Sequence, residues 1–189
     1  MKHFLLPDLD VSEYNKDLTS FAVNDAEWSF YGKGRFAIYI AFPPRDLVVP
    51  LALKFKNPKN LFLKMEMNKV LPMGIVPPHT DHHRYATINI PLKGDFDNSY
   101  LDFYKSIKEG VSASPLNNDE ETAGKGMFYP EAELDYQVNY NVPVCFDTQE
   151  IHGVTNATNS TRYILTMSFR EEYTFDKILK MYQENELLV

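Results

Sequence analysis

From Tyr85 to Leu92 the chain alternates between polar and apolar residues. Ala86, Ile88, Ile90 and Leu92 fall on one side, and Tyr85, Thr87 and Asn89 on the other. Period two is the repeat of an extended strand, so this segment predicts a strand with one apolar and one polar face. Arg162 to Arg170 behaves similarly: Tyr163, Leu165, Met167 and Phe169 form a continuous apolar face, while Arg162, Thr166 and Ser168 share the other parity with Ile164. The apolar face needs cover, which the terminal helices can provide, and Arg162 is then turned inward. Further strands are predicted at Arg35–Phe42 (stopped by Pro43-Pro44), Leu61–Met67, Tyr100–Tyr104, Asp135–Tyr140 and Val142–Phe146. Glu150–Asn156 and Arg162–Arg170 are expected to form a hairpin around Thr158-Asn159-Ser160. Gly74 to Pro78 leads into a histidine cluster.

Helical patterning is confined mainly to the ends. Val11–Val23 predicts a helix with Ser12 as its N-cap, and Thr174 opens an amphipathic helix with Ile178, Leu179 and Tyr182 inward. A helical turn is expected at Leu47–Leu53. About eight or nine strands without interleaved helices predict an antiparallel sandwich or barrel rather than a βαβ fold. Ser106–Thr122 is polar, holds Gly110, Pro115 and the acidic run Asp119–Glu121, and is followed by Lys125 between two glycines. It reads as a long surface loop, either a lid that closes over a site or an insertion without a role.

Composition narrows the class. The 189 residues are most simply one domain, 1–189, long enough to bury a substantial core. Thirteen Phe and twelve Tyr suit a sheet-rich core. Twenty-six acidic against nineteen basic residues give a net charge of −7, which argues against general nucleic-acid binding but leaves room for a local basic mouth. Cys145 is the only cysteine and lies between Val144 and Phe146, so it reads as a small buried hydrophobe; no intrachain disulfide can form. Met1–Pro7 is too short and interrupted for a signal peptide, and no apolar run approaches a membrane span of about 20 residues. A soluble, cytoplasmic protein is expected, with oligomeric state open.

The chemistry concentrates in His79-Thr80-Asp81, His152 and Arg162. Residues two apart on an extended chain point the same way, so His79 and Asp81 can reach one metal, with His152 arriving from another strand. Two imidazoles and a carboxylate suit iron(II) and leave positions free for a cosubstrate and O2. A rival set of His79, His83 and His152 is less suited, because Asp81 lowers the site's charge. His82 and His83 would then support a ligand, face substrate or lie in solvent. Arg162 on an inward face needs an anionic partner, and a guanidinium grips a carboxylate through two parallel hydrogen bonds. Arg84 is open between binding substrate, assisting the cosubstrate and forming a structural ion pair.

These residues resemble the iron(II)- and 2-oxoglutarate-dependent dioxygenase superfamily, nearest its prolyl and aspartyl/asparaginyl hydroxylase branches. The likeness runs from the metal-binding stretch His79–Leu92 through Val142–Asp147, Ile151–Asn156 and Arg162–Phe169, and covers roughly Leu61 to Arg170. It implies a mainly β, double-stranded β-helix (a jelly roll, cupin-like) with flanking N- and C-terminal helices. It implies iron held by His79, Asp81 and His152, and 2-oxoglutarate chelating that iron and reaching Arg162. Succinate and CO2 would be released while a C–H bond of an amino-acid, peptide or small-molecule substrate is hydroxylated. Many relatives carry serine two residues after the arginine, where this chain has Ile164, so Thr166, Thr87 and Tyr85 are the candidate hydroxyl partners of Arg162. Asp81 favours hydroxylation over halogenation, since related halogenases lack the carboxylate. The competing readings are a cupin-type metalloenzyme that needs no 2-oxoglutarate and a non-catalytic jelly-roll binding module.

Overall fold

The computed structural model describes residues 1–31, 38–81, 84–106, 108–112 and 127–189. The expectations for His82 and His83 therefore lie outside the described residues, as does most of the polar loop that follows Ser106. The first three residues of the Arg35–Phe42 strand are outside as well.

Among the described residues, thirteen strands form two antiparallel sheets facing each other. The larger sheet contains β1 (His3–Leu5), β2 (Ser29–Tyr31), β3 (Ile38–Ala41), β4 (Phe62–Val70), β6 (Ala86–Lys93), β11 (Val144–Asp147) and β13 (Arg162–Phe169), in the order β1-β11-β6-β13-β4-β3-β2. The smaller contains β5 (Ile75–His79), β7 (Ser99–Lys105), β8 (Val111–Ser112), β9 (Met127–Phe128), β10 (Glu133–Asn139) and β12 (His152–Asn156), in the order β10-β7-β12-β5-β9-β8. This is the expected jelly roll. Helices α1 (Ser12–Ser20), α2 (Arg45–Ala52), α3 (Pro58–Leu61) and α4 (Phe175–Gln183) complete the elements, with a π-helical turn at Phe21–Asp25 after α1.

The larger sheet is two-faced, and its alternation explains why. Met67 on β4, Ala86, Ile88 and Ile90 on β6, and Leu165, Met167 and Phe169 on β13 join one buried core with Leu18 of α1, Leu51 of α2 and Phe175 and Ile178 of α4. Burying that many large side chains at about 1.5–3 kcal/mol each is the main force pinning helices to sheet. The opposite parity of the same strands is buried but polar: Glu66, Asn68, Thr87, Asn89, Arg162, Thr166 and Ser168. Polar groups hidden from water need partners, and the uncharged side chains of this face bond to one another. Asn68 Nδ2 donates to Thr166 Oγ1 at 2.7 Å, Thr166 Oγ1 donates to Asn89 Oδ1 at 2.9 Å, and Thr87 Oγ1 donates to Ser168 Oγ at 3.3 Å.

Two expectations need correcting. Ser12 is the first residue of α1, not its cap; Val11 holds the cap position, and the Ser12 amide is taken by Asp10 Oδ1 at 2.9 Å. The strands β12 and β13 are consecutive but do not form a hairpin, because β12 lies in the smaller sheet and β13 in the larger. The cause is Asn156 at the end of β12. Its amide donates to Leu71 O at 2.9 Å, Val70 O at 3.3 Å and Ser160 O at 2.8 Å. The turn is thereby tied to the end of β4, so the chain enters the larger sheet beside β4, where Arg162 is paired with Val70. The Thr174 cap is as expected: its hydroxyl accepts from the Lys177 amide at 3.4 Å.

Candidate metal centre

His79 ends β5 and His152 begins β12, and the two are direct cross-strand partners. Their rings lie 4.4 Å apart between centroids. Gly153 makes this approach possible. A Cβ there would sit 2.5 Å from Val76 O and 3.2 Å from the Tyr104 ring, so any side chain would push β12 off β5. Asp81 lies two residues beyond His79, with its amide donating to Thr148 O at 2.9 Å and the Thr80 amide donating to Met127 O at 2.9 Å. Gln149 Nε2 adds hydrogen bonds to Asp81 O at 2.9 Å and Arg84 O at 2.8 Å, and Thr148 Oγ1 donates to Arg84 O. The segment carrying Asp81 is thus laced to the turn that precedes His152.

The three side chains converge. One ligand atom from each of His79, Asp81 and His152 lies within 4.8 Å of the others. The Nε2 atoms of His79 and His152 are each 3.9 Å from a different oxygen of Asp81. Each Nδ1 is already engaged: that of His79 lies 2.8 Å from Pro77 O, and that of His152 lies 2.9 Å from Glu150 O. A carbonyl can only accept, so both Nδ1 atoms carry the proton and both Nε2 lone pairs face the centre, as metal ligation requires. Phe146 packs edge-on to His152, with centroids 5.2 Å apart.

Electrostatics agree with this. Burial lowers the pKa of His79, and it lowers that of His152 to about 3 with the neighbouring His79 adding to the effect, so both imidazoles are neutral near pH 7. For Asp81 burial works upward, but the Arg84 guanidinium, then His152 and His79, outweigh it and hold the carboxyl at about 2. Two neutral imidazoles and an ionised carboxylate are a donor set that fits a divalent iron.

Arg162 is 1% exposed, which rules out a solvent-facing hairpin corner. Nη1 donates to Ser99 Oγ at 3.1 Å and Tyr100 O at 3.3 Å, and Nη2 donates to Tyr140 Oη. The Phe96 and Tyr140 rings lie 5.4 Å and 4.9 Å from the guanidinium carbon. All of these partners are neutral, and Nε has no hydrogen-bond partner among the described residues. Burial lowers the Arg162 pKa to about 9, against a weaker upward pull from Asp102, so the group keeps its charge at neutral pH. Asp102 is itself engaged by Thr155 Oγ1 at 2.6 Å and Gln137 Nε2 at 2.7 Å. Gly94, at φ +145°, brings its backbone against Arg162, where a Cβ would lie 3.1 Å from the Arg162 Cα. Ser99 lies four residues along β7 from Phe103, the strand partner of His152, or ~13 Å of strand.

The expected hydroxyl partners of the arginine are not the observed ones. Thr166 bonds to Asn68 and Asn89, and Thr87 to Ser168, while Tyr85 is 37% exposed. Ser99 and Tyr140 hold the guanidinium instead. Ser99 opens β7 and Tyr140 follows the last residue of β10, where periodicity carries no signal. Arg84 forms ion pairs with Asp81 and with Glu66, a residue that the sequence motifs do not single out. Arg84 Nη2 lies 2.7 Å from Asp81 Oδ1, and Nη1 donates to Glu66 Oε1 at 3.3 Å and Ser168 Oγ at 3.2 Å. The split between Glu66 and Asn68 on one side of β4 and Met65 and Met67 on the other is a signal that could have found Glu66.

No family model matches the chain, and no curated protein matches it in sequence. Solved structures do match in shape. The epimerase SnoN, in complex with Fe3+, alpha-ketoglutarate and nogalamycin RO, superposes with a TM-score of 0.59 at 9% identity, over 90% of this chain and 79% of that one. HygX from Streptomyces hygroscopicus, with nickel, 2-oxoglutarate and hygromycin B bound, gives 0.55 at 11% identity, over 89% and 82%. A prolyl hydroxylase from Trichoplax adhaerens, in complex with a hypoxia inducible factor peptide fragment, gives 0.54 at 12% identity, over 94% and 86%. The fold is therefore that of the iron- and 2-oxoglutarate-dependent oxygenases.

Proposed function

We propose that the chain, as one domain over 1–189, is a non-haem iron(II)- and 2-oxoglutarate-dependent dioxygenase that hydroxylates a C–H bond of an amino-acid, peptide or small-molecule substrate. The observation that carries this reading is the orientation of His79 and His152. Their Nδ1 atoms are tied to their own strands and their Nε2 atoms converge with the Asp81 carboxylate. In this reading His79, Asp81 and His152 hold the iron on one face. Arg162 takes the far carboxylate of 2-oxoglutarate, and its unpaired Nε is a donor still to be satisfied. Ser99 and Tyr140 fix the guanidinium plane, and Thr166 and Thr87 line the polar interior between the two ends. Iron with 2-oxoglutarate and O2 supplies the oxidising chemistry, yielding succinate and CO2, while the protein positions the reactants and excludes water.

The cupin-type alternative without 2-oxoglutarate leaves a buried, charged Arg162 without an anion, and a binding module leaves the histidine tautomers without a purpose. SnoN, HygX and the prolyl hydroxylase bind small molecules or a peptide, which supports the same substrate range here. No helix among the described residues is long and apolar enough to cross a membrane. A cytoplasmic setting suits ferrous iron and the buried Cys145 thiol, which burial pushes to a higher pKa. The test is a screen of amino acids, peptides and small metabolites for succinate release above the uncoupled background. Iron-dependent succinate formation supports the reading. A protein that binds iron but never consumes 2-oxoglutarate overturns it.

A further inference from the structure

Four charges of alternating sign run inward to the metal ligands. Lys64 Nζ lies 2.8 Å from Glu66 Oε2, Glu66 Oε1 lies 3.3 Å from Arg84 Nη1, and Arg84 Nη2 lies 2.7 Å from Asp81 Oδ1. Lys64 is 40% exposed, whereas the Glu66, Arg84 and Asp81 side chains are 5%, 21% and 12% exposed. Arg84 is held at both ends. Its carbonyl accepts from Gln149 and Thr148, and its guanidinium also donates to Ser168 Oγ at 3.2 Å.

This row bears on how Asp81 meets a metal. A carboxylate can bind through one oxygen or two. Binding through two fills one of the three positions that a 2-His-1-carboxylate site must leave open, two for a chelating cosubstrate and one for O2. Each Asp81 oxygen lies 3.9 Å from one histidine Nε2, Oδ1 from His79 and Oδ2 from His152, but Oδ1 is also engaged by Arg84 at 2.7 Å. A guanidinium alone would be repelled by a nearby divalent cation and would swing away. The buried Glu66 carboxylate on its other side counters that repulsion and keeps it in place.

We propose that Arg84, anchored by Glu66 and Ser168, is a positioning residue that fixes Asp81 for binding through Oδ2 alone and so preserves the open positions of the metal. The proposal rests on the reading of His79, Asp81 and His152 as a metal centre, but it concerns residues outside that set.

Cobalt(II) titration of the full chain tests it without reference to turnover, because the visible bands of cobalt report coordination directly. Arg84→Gln is expected to weaken cobalt binding by about 10- to 100-fold, the usual effect of removing a partner that orients a ligand. It should also alter the cobalt spectrum as Asp81 becomes free to use both oxygens, while the metal-free variant, though less stable, stays folded at the temperature of the titration. Arg84→Lys is expected to recover only part of the affinity, because an ammonium lacks the planar fork that spans two carboxylates. Cobalt bound by Arg84→Gln as tightly as by wild type, or more tightly, with an unchanged spectrum, overturns the proposal. If Arg84→Gln does not fold, Glu66→Gln decides: weaker cobalt binding on an intact fold supports it, and wild-type affinity overturns it. A wild-type chain that takes up no cobalt removes the metal centre itself, and the proposal with it, before any variant is made.

Discussion

Each histidine of the triad gives one ring nitrogen to a backbone carbonyl two residues before it and turns the other to Asp81. The arrangement has a measurable consequence in the metal-free protein. Burial holds His152 at about 3 and lowers His79, whereas in the unfolded chain both recover the ordinary value of 6.5. The unfolded state therefore binds more protons than the folded state between about pH 6.5 and 3, and stability is lost as pH falls through that window. Asp81 adds a loss of the same sign below 3.8, because its folded value is about 2. The denaturant midpoint of the metal-free chain is expected to fall steadily from pH 7 to pH 4, and His152→Gln should make the decline shallower. A midpoint that stays level over that range contradicts the account. At the other end of the interior, Arg162→Ala should weaken 2-oxoglutarate binding by about 2–5 kcal/mol, the cost of leaving a carboxylate buried without its partner. Metal affinity should be unaffected. Arg162→Lys should recover part of the loss, because only the bidentate fork is missing. Calorimetric titration gives both quantities, and an unchanged 2-oxoglutarate affinity in Arg162→Ala rejects the clamp.

Strands show how much of the architecture a sequence carries. The parity of β6 and β13 is plain in their residues, and the faces it predicts are those found: Ile88, Ile90, Leu165 and Met167 under the helices, and Thr87, Asn89, Thr166 and Arg162 within. Alternation is local, so a single sequence suffices to see it. The pairing of strands is not local. Thr158-Asn159-Ser160 announces a turn, but the choice of sheet after it is made by Asn156 bonding to Val70 and Leu71, some 85 residues earlier. The same limit applies to the partners of Arg162, Ser99 and Tyr140, and to the pairing of Arg84 with Glu66, all of which are distant in sequence. The close approach of β12 to β5 also depends on one small residue. Gly153→Val would drive a side chain into Val76 O, separating His152 from His79. An overpacked site of this kind costs about 1–3 kcal/mol. A lowered melting temperature together with weakened metal binding is expected, and a variant that keeps both at wild-type values shows that the strands need not be so close.

At the scale of the molecule, the two faces of the larger sheet divide the work. One face, with the helices, provides the apolar core; the other is buried but polar, from Glu66 and Asn68 through Thr87, Asn89, Thr166 and Ser168 to Arg162. Structures sharing only 9–12% of their residues with this chain have the same fold and were solved with iron or nickel and 2-oxoglutarate, or with a peptide. The central claim is that the His79-Asp81-His152 centre and Arg162 serve one cosubstrate. Anaerobic titration tests it most directly. Iron(II) alone and 2-oxoglutarate alone should leave the visible spectrum flat, and the two together should produce a metal-to-ligand absorption band. That band should vanish in Asp81→Ala and need far more 2-oxoglutarate in Arg162→Ala. A spectrum that stays flat with both added, at concentrations where iron is shown to bind, contradicts the claim.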